Sequence, residues 1–69
     1  MHRMTSPLTL YRNELGLSVE ALAERLGVER TTVWRWERGR VPADRLRTVE
    51  RLTGIPRETL RPDLYEAAQ

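Results

Sequence analysis

Arginine supplies the polar chemistry that recurs in this chain. All 12 basic residues are arginine, and Arg30, Arg35, Arg38 and Arg40 crowd into the stretch "RTTVWRWERGR" with Thr31 and Thr32 among them. A guanidinium is a planar fork of donors that fits guanine O6 and N7 or a phosphate. A threonine hydroxyl can bond a base edge or a phosphate, and its methyl can touch thymine. No catalytic chemistry assembles beside this. His2 is the one histidine, close to an end expected to be frayed, where it can neither be oriented as a base nor join a second metal ligand. With no cysteine there is no thiolate site and no disulfide. Ser6 and Ser18 are best placed as helix caps, no glycine-rich phosphate loop occurs, and the acids are scattered singly. The expectation is a protein that is not an enzyme and holds no cofactor or metal.

The formal charge of +2 hides an uneven distribution. Arg25 to Arg51 carries eight arginines against Glu29, Glu37, Asp44 and Glu50, a local +4, while the rest carries four arginines and six acids, a local −2. A basic middle is the footprint of a polyanion-binding surface, although arginine on solvated helix faces would look the same by charge alone. At 69 residues the chain is expected to form one domain over 1–69, with frayed ends at 1–5 and 66–69. No apolar run suits a signal peptide or a membrane span, so a soluble, cytoplasmic protein is expected.

The elements that must position these side chains read as helices, because glycine and proline bound segments of helical rather than alternating spacing. Ser6 and Pro7 start a helix carrying Leu8, Tyr11 and Leu15 on one face to Gly16. Ser18 caps a second, whose stripe of Val19, Leu22, Ala23 and Leu26 ends at Gly27. A third runs from Glu29 to Arg38 and stops at Gly39; a fourth starts near Pro42 and carries Leu46, Val49 and Leu52 to Gly54. Pro56 opens a short fifth that Pro62 limits. Few apolar anchors are available, so stability should be modest and helped by self-association.

Helices two and three, joined at a glycine, suggest a helix-turn-helix over 18–38, whose second helix enters the major groove of DNA. Such a unit needs a small residue where the helices cross, a tight glycine turn, and an apolar seam behind the second helix. Ala23, Gly27, and Val28 with Val33 and Trp36 meet those needs. "LSVEALAERLGVERTTVWRWERGR" resembles the Cro/CI-type helix-turn-helix family of phage repressors and bacterial regulators without a gap. "VPADRLRTVERLTGIPRETLRPDLY" resembles the carboxy-terminal part of the Cro-like YdaS group of prophage regulators, some of them antitoxins. The resemblance implies a compact, all-α, five-helix lambda-repressor-like domain that binds operator DNA as a homodimer.

On a wheel of about 100° per residue, Val33, Trp36, Glu37 and Glu29 fall on one side of helix three and Thr31, Arg35 and Arg38 opposite, with Arg30 on the flank but in the first turn. Arg30, Thr31 and Arg35 are thus offered to base edges, matching the base-reading positions of the repressors the chain resembles, and a site containing guanines is expected. Thr32 is assigned to a phosphate. Arg38 and Arg40 flank Gly39 in a loop that in the family tracks the DNA backbone. The family pair matching Arg12 and Glu37 forms a partly buried salt bridge, which implies a structural role. Trp36 belongs to the core face; Trp34, two residues before it, points about 200° away. For Trp34 three roles stay open: an edge-of-core residue over aliphatic stems, an apolar contact to a sugar or thymine methyl, or an anchor in a protein interface.

The chain departs from the resemblance at two places. Glu29 is a weak N-cap and sets an acid near the expected phosphate path, and Val19 stands where many relatives have a phosphate-binding glutamine. The rival to operator reading is a protein-interaction module, an antitoxin or a phage factor whose "TLRPDLY" segment, with Leu60, Leu64 and Tyr65, covers the core, forms a dimer seam or holds a cognate toxin or phage protein.

Overall fold

A computed structural model describes residues 6–66, and its described residues form six helices and no strand. Helix α1 spans Pro7–Leu15. The Ser6 hydroxyl accepts from the Thr9 amide at 3.1 Å, and Pro7 takes the first turn, where a missing N–H costs nothing. Helix α2 spans Val19–Leu26, capped by Ser18 on the Ala21 amide at 3.0 Å. Gly27 then adopts φ 71°, the left-handed conformation that a Cβ disfavours, and the Val28 amide closes the turn on the Ala23 carbonyl at 3.0 Å. Helix α3 spans Arg30–Arg38.

A 3-10 turn over Ala43–Arg45 leads into α4, Leu46–Thr53, so the expected fourth helix begins as a tighter turn after Pro42. Helix α5 spans Arg57–Leu60 and α6 spans Pro62–Glu66. Six helices rather than five result because Pro62 starts an element instead of merely ending one. A proline excludes the α region from the residue before it, and Arg61 sits at φ −136°, ψ 69°, yet the proline ring is itself preset for a first helical turn. Of the ends expected to fray, 1–5 and 66–69, residue 66 is the last of α6 and the others lie outside the described residues.

The core is built from Leu8, Leu22, Ala23, Leu26, Val33, Trp36, Val41, Leu46, Val49 and Leu60, with Tyr11, Leu17, Val19, Val28 and Ile55 packed at its margin. Helix α3 lies chiefly on α2 and also on α1, while α4 packs on α2 and α5. Leu15 and Leu52, expected in the apolar stripes, are 51% and 39% exposed. Both stand at or near the C-terminal ends of their helices, and along α1 burial falls from Leu8 through half-buried Tyr11 to Leu15. Period alone does not say how far along its axis a helix is covered. Among the described residues no helix is long and apolar enough to cross a membrane.

Candidate functional site

The site is built outward from the seam between α2 and α3. Ala23 is 4% exposed and Val33 completely buried, so the helices approach where a larger side chain than alanine would separate them. Trp36, 8% exposed, fills the other half of the seam. With Val33 and Trp36 turned inward, the opposite side of α3 must face water. Arg30, Thr31, Trp34, Arg35 and Arg38 are all exposed, and Thr32 is half-buried at the border.

A buried-side ion pair fixes α3 against α1. Arg12 donates from Nε to Glu37 Oε2 at 2.9 Å and from its second terminal nitrogen to Oε1 at 3.1 Å, and the Thr9 hydroxyl donates to the same Oε1 at 3.0 Å. The side chains are 20% and 10% exposed. The hydrogen bond to Glu37, ahead of a smaller opposing effect of burial, raises the Arg12 pKa above its ordinary value. Arg12 also reaches the Leu17 carbonyl at 3.4 Å, tying the loop between α1 and α2 to the same cluster.

Two of the arginines expected on DNA are held by acids of the chain itself. Arg30 meets Glu20, in the first turn of α2, at 2.7 Å, with both side chains 67% exposed. Arg40 meets Asp63 of α6 at 3.1 Å. Asp63 also accepts both prongs of Arg61, at 3.0 and 2.8 Å, while Arg61 donates to the Val41 carbonyl at 2.8 Å. Hydrogen bonding to Arg61 is the main reason the Asp63 carboxyl is lowered to about 2, and the same bond raises the Arg61 pKa. The loop carrying Val41 and the helix α6 are thereby pinned together beside Gly39. At Gly39 a Cβ would come within 3.2 Å of the Arg35 carbonyl, so a larger residue there would press on the end of α3.

Trp34 is 55% exposed and lies outside the buried core, and the Arg38 guanidinium lies 4.7 Å from its ring centroid. Glu29 is exposed and makes no side-chain capping bond, consistent with its length and geometry as an N-cap. Val19 packs at the margin of the core, which accounts for an apolar residue there. Sequence reasoning missed Glu20, Arg61 and Asp63. The Glu20 to Arg30 pairing depends on how α2 and α3 cross, which no local spacing reveals, but "RPD" does carry a readable signal for a local arginine to aspartate clasp. Among the described residues no three His, Cys, Asp or Glu side chains converge as metal ligands.

The exposed face of α3 therefore offers arginine and threonine donors beside a lone indole, on a helix held rigidly from behind. Such an array can bind phosphate and read base edges in a groove. The profile of the family described as "Bacterial toxin YdaS" matches residues 13–69. The "Gene 30 protein" of Enterobacteria phage phi80 is 34% identical over 65 residues, which cover 91% of this chain and 89% of that protein. No solved structure matches the chain significantly.

Proposed function

From the premise that this chain belongs to the YdaS family, we propose that it is a phage or prophage regulator that binds double-stranded DNA sequence-specifically, inserting α3 into the major groove as a Cro-like repressor does. One observation carries the reading: Arg30, Thr31, Arg35 and Arg38 lie together on the solvent side of a single helix whose other side is locked in the core by Val33 and Trp36. Arg30, Thr31 and Arg35 read bases; Thr32, Arg38 and Arg40 hold phosphates and set register. Two copies bind the operator as a homodimer, one half-site each.

A gel-shift titration against the DNA upstream of the gene tests this, with Arg30→Ala in parallel. Selective binding that Arg30→Ala weakens by about 1–3 kcal/mol is expected. Binding without sequence preference, untouched by that change, would sink the proposal. Light scattering of the eluted complex at several concentrations tests the dimer, and a single copy per duplex would refute it.

A second reading is favoured by the family's description as a toxin and by α6, where Leu64 is 42% exposed. In it the chain acts on, or is held by, a protein partner through Leu64 and Tyr65. Loss of activity in cells on Leu64→Ser, with operator binding intact, would select that reading.

A further inference from the structure

We propose that Trp34 is a specificity-determining residue that packs its exposed indole against the 5-methyl group of a thymine in the major groove, with Arg38 as the positioning residue that holds the ring. This rests on the reading of α3 as the groove-inserted helix.

The two tryptophans have opposite fates. Trp36 is 8% exposed and Trp34 55%, the most exposed of the large apolar side chains among the described residues. Residues four apart stack along a helix, so Arg30, Trp34 and Arg38 form one ridge, and Thr31 with Arg35 forms the next. Trp34 therefore stands inside the donor array. The Arg38 guanidinium lies over the indole at 4.7 Å, which limits the ring's rotation and covers part of one face, leaving the remainder for a ligand.

What that ligand is follows from the surroundings. The solvent side of α3 carries Arg30, Arg35 and Arg38, while the one acid within the helix, Glu37, is turned to the core side with 10% exposure. An apolar ring framed by cations suits a polyanion that exposes apolar groups among its acceptors. In the major groove the thymine C5-methyl is that group; guanine, cytosine and adenine carry no methyl there. An indole offers it a broad, polarisable surface where a small or polar residue would offer little.

The test begins with duplexes selected by the wild-type protein from a randomised 20-base-pair pool. Deoxyuridine then replaces each thymine of the selected sequence in turn, removing one methyl and nothing else. At one position per half-site this should weaken wild-type binding about fourfold, the worth of one buried methyl group. Trp34→Ser should still bind and show no difference between thymine and uracil at that position, Trp34→Phe should keep part of the discrimination, and Arg38→Ala should reduce the thymine-to-uracil ratio as well as overall affinity. Circular dichroism checks that each variant folds. A selected sequence that wild type and Trp34→Ser read with the same thymine-to-uracil profile overturns this proposal alone. Tighter binding to the unpaired strand than to the duplex also overturns it, since the ring would then be a stacking platform. A pool that yields no preferred sequence removes the operator-reading function itself, and this inference with it.

Discussion

Arg30 is the residue at which competing attractions meet. Its guanidinium is engaged by Glu20 at 2.7 Å, and on the proposed function a guanine or phosphate would have to displace that carboxylate. Because both side chains are 67% exposed, the pair contributes only about 0.2–1 kcal/mol. Glu20→Gln should therefore strengthen operator binding by no more than about fivefold, at 1.4 kcal/mol per tenfold. Unchanged affinity would mean that the pair does not persist in solution. Glu20 also favours the α2 dipole, so a slight fall in thermal stability should accompany the gain. Nothing around Glu20 in the sequence announces this role, since its partner lies ten residues away on the next helix.

At the scale of elements, α1 and α3 are joined by the Arg12, Thr9 and Glu37 cluster. Removing one member of a well-buried pair costs about 3–5 kcal/mol because the other charge is stranded. Arg12 retains 20% exposure, so Glu37→Ala should cost less, about 2–3 kcal/mol in urea unfolding. Replacing both Arg12 and Glu37 by methionine should be milder than either single alanine change. A double variant as unstable as the sum of the singles would contradict the stranded-charge account. Serine caps, the glycine stops and the α2 stripe were legible in the sequence because each acts within a single helix or its adjoining turn. Three features were not. Val41 is buried only because α5 and the loop after α3 close over the same core, Leu15 is exposed because its helix outruns its cover, and Pro62 opens a helix after ending one.

Asp63 is lowered from the ordinary 3.8 to about 2, chiefly by the hydrogen bond from Arg61. A carboxyl lowered on folding favours the folded arrangement fully above its ordinary value and loses that contribution as pH falls toward 2. The clasp of α6 on the Val41 loop should thus persist through mild acid and fail between about 4 and about 2. A carboxyl titration by NMR should place the Asp63 midpoint near the lower end, and Arg61→Ala should move it up toward 3.8. A midpoint that ignores Arg61→Ala would remove the clasp.

For the whole molecule, the fold brings the negative ends of the sequence back onto its positive middle. Arg25 to Arg51 carries a local +4, yet Glu20 from before that stretch and Asp63 from after it engage two of its arginines, Arg30 and Arg40. The exposed surface around α3 is consequently less charged than the segment that builds it, and on the proposed function phosphate would compete with the chain's own carboxylates. Each phosphate neutralised releases counterions, so affinity falls with salt by about 0.9 logarithmic unit per contact. If Arg40 is a phosphate contact, Arg40→Ala should weaken all duplexes alike and reduce the salt slope by about one. Asp63→Asn should do the opposite, strengthening binding to unrelated DNA most at low salt, where the field is least screened. In the Arg40→Ala background that gain should vanish, because the carboxylate would have nothing left to withhold. Should Asp63→Asn strengthen binding equally in both backgrounds, the aspartate acts by general repulsion of phosphate, and the pairing with Arg40 contributes nothing to how this surface meets DNA.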